Sequence, residues 1–316
     1  MLCGKCSRDA IIYRKHSGEA LCREHFVEDF ETNVKRAVEP PIVKGERVAV
    51  AFSGGKDSSV LLYALNEVLK GVELIAVTID EGIKGYREDT VKHAHKLTSE
   101  LQIEHIVVSF EDEYGVSIDD VAAIGVKSPC MFCGVFRKRL LNKIARSLGA
   151  RKLATGHNLD DETQTILMNY MRGDTYRLFR RHGEEEGFVP RIKPLRRLPE
   201  REVVLYGYMK GLYMDLKDCP YAKLSLRSEV RKMLNELEDK YPGTKHTLLK
   251  GYEKILGLAI IPQHGISKCK ICGEPSAKEV CKACTLLKLL RKSTPYSHSF
   301  QDRCSLLSLA ERFFGP

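Results

Sequence analysis

Seven residues decide the fold of this chain, Ser53-Gly54-Gly55-Lys56-Asp57-Ser58-Ser59, and they join a predicted strand to a predicted helix. The run before them, residues 47–52, is short, apolar and rich in valine, as in a buried strand. After them, apolar side chains recur at helical spacing from Val60 to Leu69. Two glycines permit a sharp turn and close approach to a ligand, while the helix dipole and the free N–H groups of its first turn attract negative charge. The stretch therefore predicts an anion site of the kind that holds phosphate.

The spacing of the glycines narrows the kind of phosphate site. A Walker A loop would need glycine where Val50 stands and a hydroxyl residue where Asp57 stands. The dinucleotide pattern Gly-x-Gly-x-x-Gly is absent as well. The stretch instead resembles the PP-loop signature Ser-Gly-Gly-x-Asp-Ser of enzymes that cleave ATP between its α and β phosphates, hold the pyrophosphate and transfer AMP to an oxygen. The resemblance implies that ATP is bound by all seven residues: Ser53, Gly54, Gly55, Lys56, Asp57, Ser58 and Ser59.

Composition and charge limit the class of protein. The 316 residues are 43% hydrophobic and 29% charged, which is typical of a globular protein with one large or two modest domains. The formal net charge of +9 favours an anionic partner such as nucleic acid, although a solvated surface could carry the same charge. Residues 1–16 lack the apolar core of a secretory signal, and no apolar run approaches the roughly 20 residues that span a bilayer. We therefore expect a cytoplasmic protein without a membrane segment.

Eleven cysteines in such a protein favour metal binding or catalysis over disulfides. Two sets of four residues have the spacing of a closed, tetrahedral structural zinc site: Cys3, Cys6, Cys22 and His25, and Cys269, Cys272, Cys281 and Cys284. A segment of about 25 residues cannot bury enough core to fold without such a metal clip. We therefore predict two structural Zn²⁺ ions, and we assign no function to Cys304.

Strand and helix patterns alternate after the seven-residue loop. Predicted strands cover 73–80, 105–110 and 152–155, predicted helices cover 86–101, 135–148 and 160–171, and a further helix covers 224–240. This alternation predicts an α/β fold: a parallel sheet with right-handed crossovers, helices on both faces and ligands at the carboxyl ends of the strands. Ile79 ends the second strand, where the backbone is expected to meet the adenine base of ATP.

A second loop, GHNLDDET at 156–163, follows the predicted strand at 152–155. Gly156 permits close approach to a ligand, and Asp160 and Asp161 open the next helix. One of these carboxylates would be available to Mg²⁺ on the ATP phosphates, because Mg²⁺ prefers one or two carboxylates plus phosphate oxygens. The alternative is that both residues only cap the helix.

Two groups of basic residues predict contact with a phosphodiester backbone. Arg139, Lys143 and Arg146 recur on one face of the helix at 135–148, for which the alternative is a solvated face. Residues 172–201 are rich in arginine around the acidic run 184–186, and they predict a clamp for RNA phosphates. The arginines are Arg172, Arg177, Arg180, Arg181, Arg191, Arg196, Arg197 and Arg201.

Three cysteines, Cys130, Cys133 and Cys219, remain after the zinc ligands are assigned, and we expect them near the ATP end of the sheet. Three thiolates can bind a [4Fe-4S] cluster at three of its irons and leave the fourth open, where a sulfide could bind. The competing interpretations are a redox thiol set, in which one cysteine becomes a persulfide and another resolves it, and inert core residues.

Six motifs carry a resemblance over nearly the whole chain: SGGKDSS at 53, PCxxCG at 129, GHNLDDET at 156, KPL at 193, REVV at 201 and DCPYAK at 218. They look like those of the tRNA 2-thiouridine synthetase family within the PP-loop superfamily. The resemblance implies paired zinc modules around the catalytic core, a homodimer, a [4Fe-4S] cluster on Cys130, Cys133 and Cys219, and sulfur delivered as sulfide or by a ubiquitin-like carrier protein. By their position in the motifs, Arg137 and Gly156 match residues that contact ATP in that family.

The resemblance implies the following reaction on a tRNA uridine. The 2-oxo oxygen attacks the α-phosphate of ATP, with Mg²⁺ near Asp161, and gives an adenylated base and pyrophosphate. Lys56, Arg137 and the helix dipole offset the charge on the phosphate. A sulfide on the open iron then attacks C2, and AMP leaves. The expected catalytic residues are therefore Cys130, Cys133, Cys219, Asp161 and Lys56.

Several other functions stay open at this stage. The wobble uridine, U34, is favoured over U54, but the same site could thiolate cytidine. An amide or lysidine synthetase would use the ATP site without the three cysteines. A zinc-stabilised RNA-binding protein with a vestigial nucleotide site belongs to a different class. The predicted parts of the chain are an N-terminal zinc module (1–28), a connector (29–45), a PP-loop ATP-binding domain (46–218), a helical extension (219–265), a C-terminal zinc module (266–290) and a tail (291–316).

Overall fold

The computed structural model describes residues 1–38, 41–125, 128–179, 186–213, 217, 219–221, 226–259 and 265–293. Some of the predictions above concern residues outside these ranges: Arg180, Arg181, Glu184, Glu185, Asp218, Leu224, Cys304 and the rest of the tail from residue 294.

The strands are β1 (Ile12–Arg14), β2 (Glu19–Leu21), β3 (Arg47–Ala51), β4 (Glu73–Asp80), β5 (Glu104–Ser109), β6 (Lys152–Thr155), β7 (Arg191–Ile192), β8 (Ser267–Lys268) and β9 (Pro275–Ser276). The helices are α1 (Arg23–Arg36), α2 (Lys56–Val68), α3 (Arg87–Leu101), α4 (Phe110–Tyr114), α5 (Ile118–Ala123), α6 (Pro129–Ser147), α7 (Leu159–Met171), α8 (Thr175–Phe179), α9 (Glu200–Met209), α10 (Leu226–Lys240), α11 (Thr244–Leu258) and α12 (Lys282–Ser293).

The central sheet has the strand order β5-β4-β3-β6-β7, and every pairing in it is parallel. Helices cover both of its faces, so the predicted α/β class is confirmed. Val48, Ala49 and Val50 are fully buried, as expected for the central strand of a sheet that is covered on both sides. The carboxyl ends of β3, β4 and β6 meet at one edge, where the two predicted ligand loops follow β3 and β6.

Each face of the sheet has its own apolar core. On one face, Phe136, Leu140 and Ile144 of α6 are buried, and this helix packs against β3, β4 and β6. On the other face, the buried leucines of α2 pack with Phe30 of α1 and Tyr206 of α9, whose rings stack at 4.1 Å between centroids. The sequence predicted the stripe on α6, although the helix begins at Pro129, six residues earlier than expected. Proline is favourable in the first helical turn because it has no N–H group to leave unpaired there.

The first eight residues of the expected connector at 29–45 are helical, because α1 runs on to Arg36. Phe26, Phe30 and Val34 recur every four residues on this helix and are completely buried against the main core. The predicted boundary at residue 28 therefore lies inside α1. The predicted module ended three residues after its last ligand, His25, whereas the helix that carries this ligand continues into the core.

The C-terminal part of the chain also packs onto the main core. Leu286, Leu287 and Leu290 of α12 are buried with α6, and α12 continues past the predicted boundary at residue 290. The helical extension contains α11 in addition to the predicted α10, and α9 was not predicted either. Among the described helices, none combines the length and the apolar character that crossing a bilayer requires.

A buried ion pair fastens the N-terminal module to the catalytic core. Arg14 of β1 donates to both carboxylate oxygens of Glu202 in α9, at 3.0 and 2.7 Å, and lies 2.8 Å from Asp29. Glu202 is 1% exposed, so Glu202→Ala leaves a buried guanidinium short of a partner. We expect this variant to lose about 3–5 kcal/mol of unfolding free energy in chemical denaturation.

The matched control for this prediction is Glu19→Ala, because Glu19 contacts the same arginine from a site with 35% side-chain exposure. We expect it to cost about 1 kcal/mol or less. Equal effects of the two substitutions would contradict a special role for the buried pair.

Candidate active site

The loop at residues 53–59 is shaped by Gly54, whose φ is 79°. A Cβ atom there would lie 2.0 Å from the carbonyl oxygen of Thr90, so no other residue fits while α3 stays in place. Ser58 closes the turn, since its Oγ donates to the Gly55 carbonyl at 2.9 Å and accepts from the Ser53 N–H at 3.2 Å. Gly55 immediately precedes α2, and the first N–H groups of this helix have no partner within it. This arrangement is suited to binding phosphate.

Lys56 lies between two carboxylates at the start of α2. Its Nζ is 3.0 Å from Asp57 and 2.8 Å from Glu200. Asp57 also accepts from Asn158 Nδ2 at 3.1 Å. Burial lowers the pKa of Lys56, but the neighbouring Asp57 and Glu200 outweigh it and leave the pKa raised. Lys56 is therefore a cation at neutral pH and can bind a phosphate that displaces these carboxylates.

The neighbouring residues Asp160 and Asp161 have different surroundings. Asp160 is buried, pairs with Lys245 and accepts from the Glu200 N–H at 2.8 Å. Asp161 is half-buried and forms a capping box with Asn158. Burial, followed by the charge of Asp57, raises the pKa of Asp161 to about 6. Asp160 is thus committed to holding α7 against α11, and Asp161 is the better candidate for Mg²⁺.

The raised pKa of Asp161 predicts a pH dependence for Mg²⁺-ATP. The carboxylate is ionised above pH 6, and it takes up a proton as the pH falls through that value. A metal ligand must lose its proton, so we expect affinity to fall about tenfold for each pH unit below 6. Titration calorimetry between pH 5 and 8 measures this slope. In Asp161→Asn, binding should be weaker throughout and the slope should disappear; an unchanged slope would assign the titration to another group.

Gly156 and Ile79 lie at the same edge of the sheet. A Cβ atom on Gly156 would lie 3.2 Å from the backbone of Asp57, so this glycine lets the loop after β6 rest on the first turn of α2. The carbonyl of Ile79 accepts from Arg87 Nη2 at 2.7 Å. The carbonyl is thus one backbone group of Ile79 that already has a partner within the protein, and the contact of this backbone with adenine stays a prediction.

Two residues that the sequence did not single out connect the loop to α6. Arg87 is buried and donates to the Ser53 carbonyl at 3.0 Å, and its Nε is 2.8 Å from Glu81. Glu81 is also buried and lies 3.3 Å from Arg137, whose side chain is 47% exposed. The available signal was the position of Glu81, an acid directly after the apolar strand β4, where ligand-binding residues gather. Nothing in the sequence pattern distinguished Arg87 from a surface charge.

The three core cysteines lie together beyond this network. Cys130 and Cys133 are in the first turns of α6, and Cys133 and Cys219 pack against the same core. The Cys130 Sγ donates to the Tyr221 carbonyl at 3.5 Å, two residues after Cys219. Tyr221 is itself anchored, because its hydroxyl donates to Asp119 at 2.7 Å. The structure therefore brings the three predicted thiols to one place.

The pKa values of Cys133 and Cys219 are both raised. Burial raises the pKa of Cys133 to about 12, and Glu81, Cys219 and Cys130 add to the rise while Arg137 opposes it. Burial and Cys130 also raise the pKa of Cys219, although its backbone contact to Tyr221 opposes this. A redox nucleophile needs a lowered pKa, whereas a metal removes the proton from a thiol regardless. The raised pKa values of Cys133 and Cys219 therefore fit thiolates held by a metal better than redox nucleophiles.

The two predicted zinc sets also converge. Within each, the four ligand atoms lie within 4.8 Å of one another. Sulfur pairs are 3.7 Å apart in Cys6–Cys22 and in Cys272–Cys281. Tetrahedral zinc with bonds of about 2.3 Å requires about 3.8 Å between sulfurs. Among the described residues, Cys130, Cys133 and Cys219 do not form a set as tight as these two.

The predicted RNA-binding face of α6 is wrong. Lys143 lies 2.8 Å from Glu113, and Arg146 lies 2.7 Å from Glu274. The Arg139 guanidinium lies 5.5 Å from the centre of the Tyr114 ring. This face therefore joins α6 to its neighbours. The sequence shows these charges but not their partners, because Glu113 and Glu274 are distant along the chain from Lys143 and Arg146.

The predicted arginine clamp is partly occupied. Arg196 and Arg197 pair with Glu253 at 3.2 and 2.9 Å, and they hold their segment against α11. Arg172, Arg177 and Arg201 are exposed. Among the described residues, only part of the predicted clamp is therefore available to RNA phosphates.

Comparison with known families gives two matches along the chain. Residues 26–214 match the family described as PP-loop domain. Residues 2–27 match the family described as 2-thiouridine synthetase TtuA, N-terminal LIM domain.

Individual proteins match over almost their whole length. The chain is 39% identical over 319 residues to the tRNA 2-thiolation protein NcsA of Haloferax volcanii, covering 91% of this chain and 98% of the relative. It is 37% identical over 302 residues to cytoplasmic tRNA 2-thiolation protein 1 of Drosophila sechellia, covering 92% and 88%. Among solved structures, the U34-tRNA thiolase NcsA from Methanococcus maripaludis with its [4Fe-4S] cluster has a TM-score of 0.83 and 39% identity, covering 92% of this chain and 96% of that one.

Proposed function

This chain belongs to the PP-loop family of tRNA 2-thiolation proteins, and we propose that it adenylates the 2-oxygen of a tRNA uridine and replaces that oxygen with sulfur. The observation that carries the proposal is the continuous set of contacts from the loop to the cysteines. Arg87 joins Ser53 to Glu81, and Glu81 joins Arg87 to Arg137, one helical turn after Cys133. A nucleotide on the loop and a sulfur source on the thiols would therefore act on one base.

The first half of the reaction uses the loop, α2 and nearby charges. The turn at residues 53–59 holds the pyrophosphate, and the N-terminus of α2 and Lys56 stabilise its charge. Asp161 would hold Mg²⁺ on the phosphates, and Arg137, on α6, would contact the α-phosphate. The uridine oxygen attacks that phosphate, the bond to pyrophosphate breaks, and AMP becomes the leaving group on C2.

The second half uses the three core cysteines. Cys130, Cys133 and Cys219 would hold a [4Fe-4S] cluster, which supplies an open iron for the incoming sulfur. Partial burial of Cys133 and Cys219 limits the access of water to the adenylated base, which would otherwise hydrolyse back to uridine. Glu81 keeps Arg137 between the thiols and the nucleotide.

The identity of the base and of the partners belongs to the same proposal. We assign the wobble uridine, U34, because the M. maripaludis structure is described as a U34-tRNA thiolase. Each set of four ligands would hold one structural Zn²⁺ ion. The family resemblance supports a homodimer and a sulfur donor that is sulfide or a ubiquitin-like carrier protein. The name of the Drosophila relative supports a cytoplasmic location.

The predicted parts of the chain are proposed with two changes. The N-terminal zinc module passes directly into α1, so residues 29–36 belong to the catalytic core. The C-terminal zinc module extends to the end of α12 at Ser293. The other boundaries are kept as predicted.

The decisive experiment is mass spectrometry of tRNA nucleosides from a strain that lacks this chain. We expect the 2-thiouridine derivative at position 34 to disappear, and the purified, anaerobically reconstituted protein to restore it with ATP and sulfide. Loss of 2-thiocytidine instead would assign the other base. Pyrophosphate release without thiolated product in a colourless protein would favour an amide or lysidine synthetase, and no tRNA-stimulated pyrophosphate release would favour a simple RNA-binding protein.

A further inference from the structure

The outer side of α6 carries a second group of cations. It is separate from Lys143 and Arg146, which pair with acids of α4 and of the segment before β9. Lys138 is exposed, and no described residue pairs with its ammonium group. Arg191 of β7 donates to the Lys138 carbonyl at 3.0 Å, so the strand and the helix are joined there. Arg177 of α8 is 67% exposed and has one carboxylate nearby, Asp174 at 3.3 Å. These cations come from three separate elements.

Neighbouring cations contribute to a lowered pKa at two residues of this region. Reduced hydration and four neighbouring cations, Arg191, Arg177, Lys193 and Arg137, lower the pKa of Lys138 to about 8. Burial and the nearby cations, Lys138 among them, lower the pKa of His157 to about 3. Positive charges concentrated in this way repel one another, and a polyanion relieves that repulsion.

Two tyrosines are exposed on α7 and α8, and α8 also carries Arg177. Tyr170, at the end of α7, is 74% exposed, and Tyr176, next to Arg177 in α8, is 47% exposed. The short helix α8 is fixed in place, because Leu178 is buried and its carbonyl accepts from Tyr252 at 2.6 Å. Exposed tyrosines next to arginine and lysine provide faces on which unpaired RNA bases stack.

We propose that Lys138, Tyr170, Tyr176, Arg177 and Arg191 form the surface that holds the RNA strand next to the target uridine. We call these five residues the α6–α8 surface. Its cations contact phosphodiester groups, and its tyrosine rings stack on the neighbouring bases. This inference rests on the proposed function, which it deepens by assigning the substrate to one side of the molecule.

The alternative ligand, the triphosphate of ATP, suits this surface less well. ATP phosphates already have the N-terminus of α2, Lys56 and Arg137, whereas the surface extends over α6, the end of α7, α8 and β7. One nucleotide cannot contact all of these elements and the glycine loop together. Arg139, Lys143 and Arg196 are at most one third exposed or contact protein partners closely, so they are less available to RNA than Lys138 and Arg177.

The charge test uses the reconstituted full chain and unmodified tRNA. Each phosphate contact contributes about fivefold to affinity at 0.15 M salt and about 0.9 to the salt slope of log Kd. Lys138→Ala with Arg177→Ala should therefore weaken binding about 25-fold and reduce the slope by about 2. Lys96→Ala, at an exposed site on α3, is the control and should change neither. Unchanged tRNA affinity in the double variant, or a loss of ATP affinity alone, would overturn the proposal.

The stacking test separates the ring of Tyr170 from its hydroxyl. Loss of one stacked base should weaken tRNA binding about fivefold or more in Tyr170→Ala. Tyr170→Phe should bind as the wild type does, and so should Tyr208→Ala, which removes a tyrosine 77% exposed on α9. Equal losses in Tyr170→Ala and Tyr208→Ala would contradict a specific stacking surface.

Thiolation kinetics distinguish failure of this inference from failure of the proposed function. If both hold, the surface variants raise KM for tRNA and approach the wild-type kcat at saturation. If the wild-type enzyme is active and the surface variants have an unchanged KM for tRNA, the α6–α8 surface is rejected and the proposed function is retained. A wild-type protein that makes no thiolated nucleoside but loses tRNA affinity in the variants would keep the RNA surface and overturn the function.

Discussion

Gly54→Ala should reduce ATP affinity at least about a hundredfold, which corresponds to about 2.7 kcal/mol. A left-handed φ costs an alanine roughly 1 to 2 kcal/mol by itself. The added methyl carbon would also lie 2.0 Å from the Thr90 carbonyl, which belongs to the helix backbone and cannot rotate away. The loop and α3 must therefore separate, and the contact from Arg87 to the Ser53 carbonyl is then lost together with the alignment of the α2 N–H groups. Titration calorimetry with a non-hydrolysable ATP analogue measures the effect.

A matched glycine separates strain from collision. Gly149 has a φ of 62°, and a methyl carbon added there would have no other atom within 4 Å, so Gly149→Ala tests the left-handed backbone alone. We expect it to lower stability slightly and to leave ATP affinity within about twofold. If ATP affinity falls equally in both variants, or does not fall in Gly54→Ala, the glycine loop is not part of the nucleotide site.

The features of the fold that the sequence predicted are those set by local pattern. The valine-rich strand β3 and the apolar stripe of α6 need only neighbours a few residues away to be recognised. The ligand sets around Cys3 and Cys269 could be predicted because thiolate spacing on one ion is nearly fixed. The helix α1 has an equally regular apolar stripe, Phe26, Phe30 and Val34. It was not predicted because the first residues of the helix were interpreted as part of the zinc module.

The partners of charged side chains could not be predicted in the same way. The face of α6 with Lys143 and Arg146 has the charge spacing of a nucleic-acid surface, yet its acids come from α4 and from the residue before β9. Likewise, Arg87 gives no local sign that it joins the Ser53 carbonyl to Glu81. Pairing across the fold depends on topology, which places residues from separate crossovers at one edge of the sheet. The residues that link the nucleotide to the thiols are therefore among those that sequence reasoning missed.

Cys219→Ala should abolish sulfur transfer while ATP binding and folding are retained. Cys219 lies beside Cys130 and Cys133 and is held there by its neighbour Tyr221, which contacts both Cys130 and Asp119. Removing even an outer partner of a metal ligand costs about 10- to 100-fold, so loss of a ligand should reduce thiolation about a hundredfold or more. Because the side chain is only half-buried, the folding cost should be about 1 kcal/mol or less. Iron content and absorbance at about 400 nm after anaerobic reconstitution report the cluster directly.

The control for this prediction is a cysteine of the other type. Cys6→Ala removes one of the four ligands at the N-terminal module, so it should release zinc and destabilise that module without lowering iron content. Cys219→Ala should do the reverse, with iron lost and zinc retained. If Cys219→Ala thiolated tRNA at the wild-type rate, Cys130 and Cys133 would be sufficient for sulfur transfer. A cluster bound through three cysteines could then not be the sulfur site. If both variants lost iron equally, the cause would be general unfolding. We expect Cys219→Ala to retain its ATP affinity, which would exclude unfolding in that variant.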